Sequence, residues 1–186
     1  IVTVGDYVDR GPDSRAVLDW LIAYDESATL IPLLGNHELM MLAAMKSESH
    51  REEWLACGGD AALRSYGRHL RDGTLQDVPK SHWDFISKKC RSFYQTKTHF
   101  FVHANAYPDI PLNDQPDYMI YWEHFRHPPA HESGKIMVCG HTPQRNGEPK
   151  SIGHAVCIDT WAHAGGWLTC LDTATGQYWQ ANESGS

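Results

Sequence analysis

The chain has few cysteines, and none are arranged to hold a metal or close a small loop. Its five, Cys57, Cys90, Cys139, Cys157 and Cys170, are odd in number and widely spaced, with no Cys-x-x-Cys among them. That argues against a zinc ribbon or a disulfide framework and for a reducing, cytoplasmic setting. No apolar run is long enough to span a membrane, and no signal-peptide pattern opens the chain. Basic charge is also scarce: 16 Lys and Arg stand against 23 Asp and Glu, a net charge of −7. A sequence-independent nucleic-acid binder needs a basic stripe, so that class is disfavoured. A phosphorylated substrate stays open, because a bound metal can dominate the local field. Repeats and low-complexity tracts are absent as well.

What is present reads as one globular domain over residues 1–186, with 41% apolar and 21% charged residues. Ile1-Val2-Thr3-Val4 looks like the body of a strand with no polar lead-in, as expected of a chain missing its natural beginning. Gly11-Pro12-Asp13-Ser14 is a turn and helix start, and Val17, Leu18, Leu21 and Ile22 follow at helical spacing. The apolar run 29–34 ends at Gly35 and predicts a second strand, with a second helix from Leu39 to about Met45. Strand, helix, strand, helix is the pattern of a parallel βαβ unit in an α/β fold. Residues 46–90 read as a helical insertion interrupted by Gly58-Gly59, and 108–134 as an irregular loop. Further strands are expected on both sides of a turn at 95–98, at 135–139 and 154–159, and in a hairpin of 167–171 with 177–180.

Two strings carry the chemistry: Gly5-Asp6-Tyr7-Val8-Asp9-Arg10-Gly11 and Gly35-Asn36-His37-Glu38. Each falls just past an apolar run, where open α/β sheets place their ligands. Hydrolysis of a phosphoester at two metals needs hard oxygen and imidazole ligands, a bridging carboxylate, a cation for the phosphoryl oxygens and an acid for the leaving group. Asp6 offers the bridge, Arg10 the cation and Asn36 a carbonyl ligand; His37 serves as acid if Asp9 holds its ring. His103 and His141 each end a further apolar run, the second after Gly140.

With Cys157–Thr160 and Gly165–Thr169, these four ordered motifs resemble the phosphoprotein phosphatase family of calcineurin-like metallophosphoesterases, in its bacterial serine/threonine form. The resemblance spans nearly the whole chain. It implies two mixed β-sheets flanked by helices, a dinuclear centre of divalent ions, and attack by a metal-activated water. Mn²⁺ is the first expectation, with Fe or Zn²⁺ as alternatives. By position, Asp6, Asn36, His103 and His141 resemble metal ligands. His37, Asp9 and Arg10 resemble the catalytic set, and Arg10 with Asn36 the phosphate-binding pair.

The chain departs from that pattern in two places. The family's first Asp-x-His is absent, so its first strand and half of the first metal site are expected upstream of Ile1. In Trp122-Glu123-His124-Phe125-Arg126, His124 stands at the offset of a phosphate-binding arginine and Arg126 lies two further on, which leaves both open. The expected reaction is dephosphorylation of phosphoserine and phosphothreonine proteins, or of small phosphoesters, without nucleic-acid or membrane partners. The alternatives are a symmetrical dinucleoside polyphosphate hydrolase and a non-catalytic single-metal relative. Asp9 and Glu38 favour the phosphatase, because the dinucleotide enzymes typically carry Asp after Asn-His and differ in the string at 9–10.

Elsewhere plain structural roles are expected. His50, His69, His82, His99, His127 and His131 read as solvated; Cys139, Cys157 and Cys170 as small buried hydrophobes; Met40, Met41 and Met45 as core; and Trp167, Tyr178 and Trp179 as hairpin packing.

Overall fold

The computed structural model describes residues 1–68 and 71–185, so the expectation for His69 lies outside the described residues. The chain forms two compact units, Ile1–Arg91 and the part from Ser92 onward.

In the first unit, β1 (Val2–Thr3) pairs in parallel with β2 (Ile31–Pro32), Val2 opposite Ile31. Between them runs α1 (Ser14–Ser27), capped by the Asp13 carboxylate, which accepts the Ala16 N–H at 3.1 Å. This is the expected βαβ unit. Past β2, Leu33 N–H still donates to Thr3 O at 2.9 Å, while on the other edge Pro32 O accepts the Arg91 N–H at 2.9 Å and Leu34 N–H donates to Arg91 O at 2.8 Å. The second helix, α2 (Asn36–Ala44), starts three residues earlier than its apolar pattern predicts. Glu38 reaches back to accept the Gly35 N–H at 2.8 Å, the half of a capping box that a glycine N-cap allows, and this draws Asn36 and His37 into the first turn.

Helices α3 (Glu48–Trp54) and α4 (Asp60–Ser65) are joined by a kinked turn over Leu55–Gly59, in which Gly58 takes φ +110°. α5 (Lys80–Asp84) follows. Leu18, Met41, Trp54, Tyr66 and Ile86 are buried together as the core of this unit. Met40 packs against that core, whereas Met45 is exposed. His82 corrects the solvated reading: it is buried, with Nε2 2.9 Å from Asp19 Oδ1 and Nδ1 2.8 Å from Tyr66 Oη. A buried imidazole needs both nitrogens satisfied, and Asp19 and Tyr66 do that here.

The second unit is built on a five-stranded mixed sheet in the order β3-β4-β5-β7-β6. The strands are β3 (Phe93–Gln95), β4 (His99–Val102), β5 (Ile136–Cys139), β6 (Lys150–Ser151) and β7 (Ala155–Cys157). β4, β5 and β7 are parallel neighbours; β3 and β6 close the edges antiparallel. Phe100, Val102, Val138, Cys139 and Cys157 are nearly inaccessible, as expected of central parallel strands.

A separate hairpin joins β8 (Leu168–Leu171) to β9 (Tyr178–Ala181). Its packing role is smaller than the sequence implies, since Cys170, Tyr178 and Trp179 are exposed. The stretch 108–134 is not all irregular. It contains α6 (Asp117–Trp122), opened by Pro116 and anchored by buried Met119, Ile120 and Tyr121. No helix among the described residues is long and apolar enough to cross a membrane.

Candidate active site

In the first unit the loop after β1 follows an unusual backbone path. Gly5, Asp6, Asp9 and Arg10 take φ of +93°, +60°, +78° and +60°. Left-handed backbone is unfavourable for most side chains and is kept where the surroundings enforce it. Glu38 enforces it. Its carboxylate is fully buried and accepts four backbone N–H groups: Gly35 and Asp6 at 2.8 Å, Tyr7 at 2.7 Å and Val8 at 3.2 Å. Burial, with the nearby Asp6 carboxylate, pushes the Glu38 carboxyl up to about 7, against the pull of these donors. Gly35 is required by close approach: a Cβ there would stand 2.2 Å from Asp6 Oδ1 and 2.5 Å from Asp6 N.

The same loop carries a buried acid–base pair. His37 Nδ1 lies 2.6 Å from Asp9 Oδ2. Burial opposes a charged imidazole, but the Asp9 hydrogen bond and the charges of Asp6 and Asp9 outweigh it and raise the His37 pKa. Burial likewise raises the Asp9 carboxyl, against its donors His37 and Trp54. With Nδ1–H held by Asp9, Nε2 is the nitrogen left for proton exchange with a ligand. The His37 N–H also reaches Asp6 Oδ1 at 3.3 Å. Arg10 keeps its side chain exposed while its N–H donates to Gly58 O at 3.1 Å. Asp6, Asp9, Arg10, Asn36 and His37 are thus gathered at the carboxyl ends of β1 and β2.

In the second unit, His103, His141 and Asp159 follow the carboxyl ends of the parallel strands β4, β5 and β7. Pairing continues past the strands, with Gly140 N–H on His103 O at 2.8 Å and Ile158 N–H on Cys139 O at 2.8 Å. His103 Nε2 and His141 Nδ1 come within 3.2 Å. His141 Nε2 lies 3.1 Å from Trp122 O, which selects the Nε2–H tautomer and turns the Nδ1 lone pair toward His103. The left-handed backbone at His141, φ +63°, aims the ring this way. The two adjacent imidazoles are donors of the type divalent first-row ions accept, as are, in the first unit taken by itself, the oxygens of Asp6 and Asn36. His124 stacks on His141 with ring centroids 5.4 Å apart, whereas Arg126 is exposed.

Two contributors escaped the sequence reading. Glu38 had been weighed only as a mark of substrate class, yet its carboxylate meets backbone. Trp54, inside the expected helical insertion, donates its indole N–H to Asp9 at 3.0 and 2.9 Å to the two oxygens. Apart from the Gly35 N–H, three residues before Glu38, these contacts join residues far apart in sequence, and no local spacing signals them.

The first unit thus sets carboxylate and amide oxygens at its strand ends beside a carboxylate–imidazole pair and an arginine, and the second sets two imidazoles at its own strand ends, donor types suited to phosphoester hydrolysis. The chain belongs to the calcineurin-like phosphoesterase family, whose model matches residues 1–167. It is 31% identical over 178 residues to serine/threonine-protein phosphatase 1 of Salmonella typhimurium, a match covering 91% of this chain and 76% of that protein. Over 44 residues it is 52% identical to the symmetrical bis(5'-nucleosyl)-tetraphosphatase of Acidovorax sp. strain JS42, 24% of this chain and 15% of that one. In fold it is similar to a crystal structure of a candidate diadenosine tetraphosphatase. That likeness has a TM-score of 0.69 at 19% identity, over 96% of this chain and 78% of the other.

Proposed function

We propose that the chain is a phosphatase acting on phosphoserine and phosphothreonine. The observation that carries the reading is the buried pair of His37 and Asp9 at 2.6 Å beside Arg10. The match to a protein named serine/threonine-protein phosphatase over 91% of the chain supports the substrate class. In this reading residues 1–186 are one catalytic domain with 46–90 as a helical insertion. It works in the cytoplasm on phosphorylated proteins or small phosphoesters, without nucleic-acid or membrane partners. Asp6, Asn36, His103 and His141 ligate divalent ions, two in the complete centre, with Mn²⁺ favoured over Fe or Zn²⁺. When bound, such ions supply charge for the phosphoryl oxygens and lower the pKa of water.

The remaining work falls to side chains of the chain. Arg10, with Asn36, binds the phosphoryl oxygens and neutralises charge that grows on them. His37 gives its Nε2 proton to the departing serine or threonine oxygen. Asp9 keeps the imidazole ring in place through Nδ1 and favours its protonated state.

A second reading is hydrolysis of symmetrical dinucleoside polyphosphates, favoured by the 52% identity over 44 residues to such an enzyme. Turnover of a phosphopeptide and of diadenosine tetraphosphate, each with Mn²⁺, separates the two. A higher kcat/KM on the phosphopeptide is expected, and preference for the dinucleotide would reverse the assignment. Metal binding with no turnover of either would indicate a non-catalytic relative.

A further inference from the structure

We propose that Trp54 is a positioning residue for leaving-group protonation: its indole N–H fixes the Asp9 carboxylate that in turn orients His37. The inference rests on the reading of His37 as the acid. Trp54 is fully buried in α3, and its one polar atom meets Asp9 rather than any backbone carbonyl. The bond is bifurcated, with 3.0 Å to Oδ1 and 2.9 Å to Oδ2, so it opposes rotation of the carboxylate in both directions. Oδ2 is also the atom 2.6 Å from His37 Nδ1. The Asp9 side chain is fully excluded from solvent, so water does not replace a missing donor. With the indole N–H removed, the carboxylate would be held by His37 alone and free to turn away from the geometry that holds the ring.

The turn after Trp54 braces the arrangement. A Cβ at Gly59 would lie 2.4 to 2.8 Å from indole atoms, so the ring packs directly on the backbone there. One residue earlier, Gly58 O receives the Arg10 N–H at 3.1 Å. A Cβ at Gly58 would meet Arg10 Cγ at 2.7 Å. The α3–α4 turn therefore supports Asp9 through a side chain and Arg10 through the backbone.

The test compares wild type with Trp54→Phe, and with benzothienylalanine at position 54, which keeps the indole shape and lacks only the N–H. Phenyl phosphate needs its leaving oxygen protonated; 4-nitrophenyl phosphate does not. Both variants should lower kcat on phenyl phosphate on the order of 10-fold, change kcat on 4-nitrophenyl phosphate less than about twofold, and leave KM unchanged. In a His37→Asn background the substitution at 54 should add nothing. Equal losses on both substrates, or losses that persist in that background, would overturn the proposal. If His37→Asn itself shows no dependence on leaving group, the acid reading fails instead. NMR decides the contact without turnover. Asp9→Asn should shift the Trp54 indole proton, and benzothienylalanine at 54 should shift the His37 Hδ1 proton. Unmoved signals would refute it.

Discussion

Glu38 holds Asp6 by its backbone: Glu38 Oε2 accepts the Asp6 N–H at 2.8 Å across 32 residues of sequence. Oε2 also takes Gly35, and Oε1 takes Tyr7 and Val8. A carboxamide has only one acceptor oxygen, so Glu38→Gln would strand part of this set against an amide NH₂. A loss of about 2–5 kcal/mol is expected, since each stranded donor costs roughly 1–3 kcal/mol. Urea unfolding measures it. A loss under about 1 kcal/mol would show that the four bonds count for little.

Gly35→Ala should disturb Asp6 directly. The added methyl would stand 2.2 Å from the Asp6 carboxylate and 2.9 Å from Glu38 Oε2. Its φ of −101° suits any residue, so the effect comes from contact and not from backbone strain. Metal titration by calorimetry should show binding weakened at least about tenfold, since a displaced ligand costs on the order of 1.4 kcal/mol or more. Wild-type affinity in the variant would remove Asp6 from the ligand set.

His37→Asn should lower kcat on an alkyl phosphate by roughly 10²–10⁴-fold, the usual value of a positioned acid, with metal content retained. The loss on 4-nitrophenyl phosphate should be much smaller. Equal losses would make His37 a structural residue.

How much of this was legible beforehand depended on sequence distance. Asp13 as the cap of α1, and the placing of both motif strings at strand ends, follow from neighbours a few residues apart. The hairpin of β8 and β9 was read for the same reason. The partners of Glu38, and the bond from Trp54 to Asp9 across 45 residues, arise only when the chain folds back. His82 looked solvated because its neighbours Ser81 and Asp84 are polar, while its real partners, Asp19 and Tyr66, lie elsewhere. α6 was hidden by prolines that in fact begin it.

Stability should fall at alkaline pH because several phenols are buried. Burial raises Tyr7 and Tyr66 well above the usual phenol range and Tyr121 to about 12. From pH 10 upward the unfolded chain loses phenol protons that the folded chain keeps, so stability declines as pH rises through that window. Each such phenol contributes a slope of about 1.4 kcal/mol per pH unit. Below pH 10 it contributes none. Urea midpoints between pH 9 and about 11.5 should fall less steeply for Tyr121→Phe than for wild type; parallel curves would show that Tyr121 ionises normally.

The Glu38 clamp also ties the timing of one segment to another. Surface loops ordinarily exchange their amide hydrogens with solvent first, through small local openings. The amides of Asp6, Tyr7 and Val8 cannot do so while a carboxylate in the first turn of α2 occupies them. Their deuterium uptake should therefore be slow and should match that of Gly35 and the first turn of α2, as one cooperative opening. The loop carrying Asp6 would then be released by the fraying of a helix, and the lifetime of the site would be the lifetime of that helical turn.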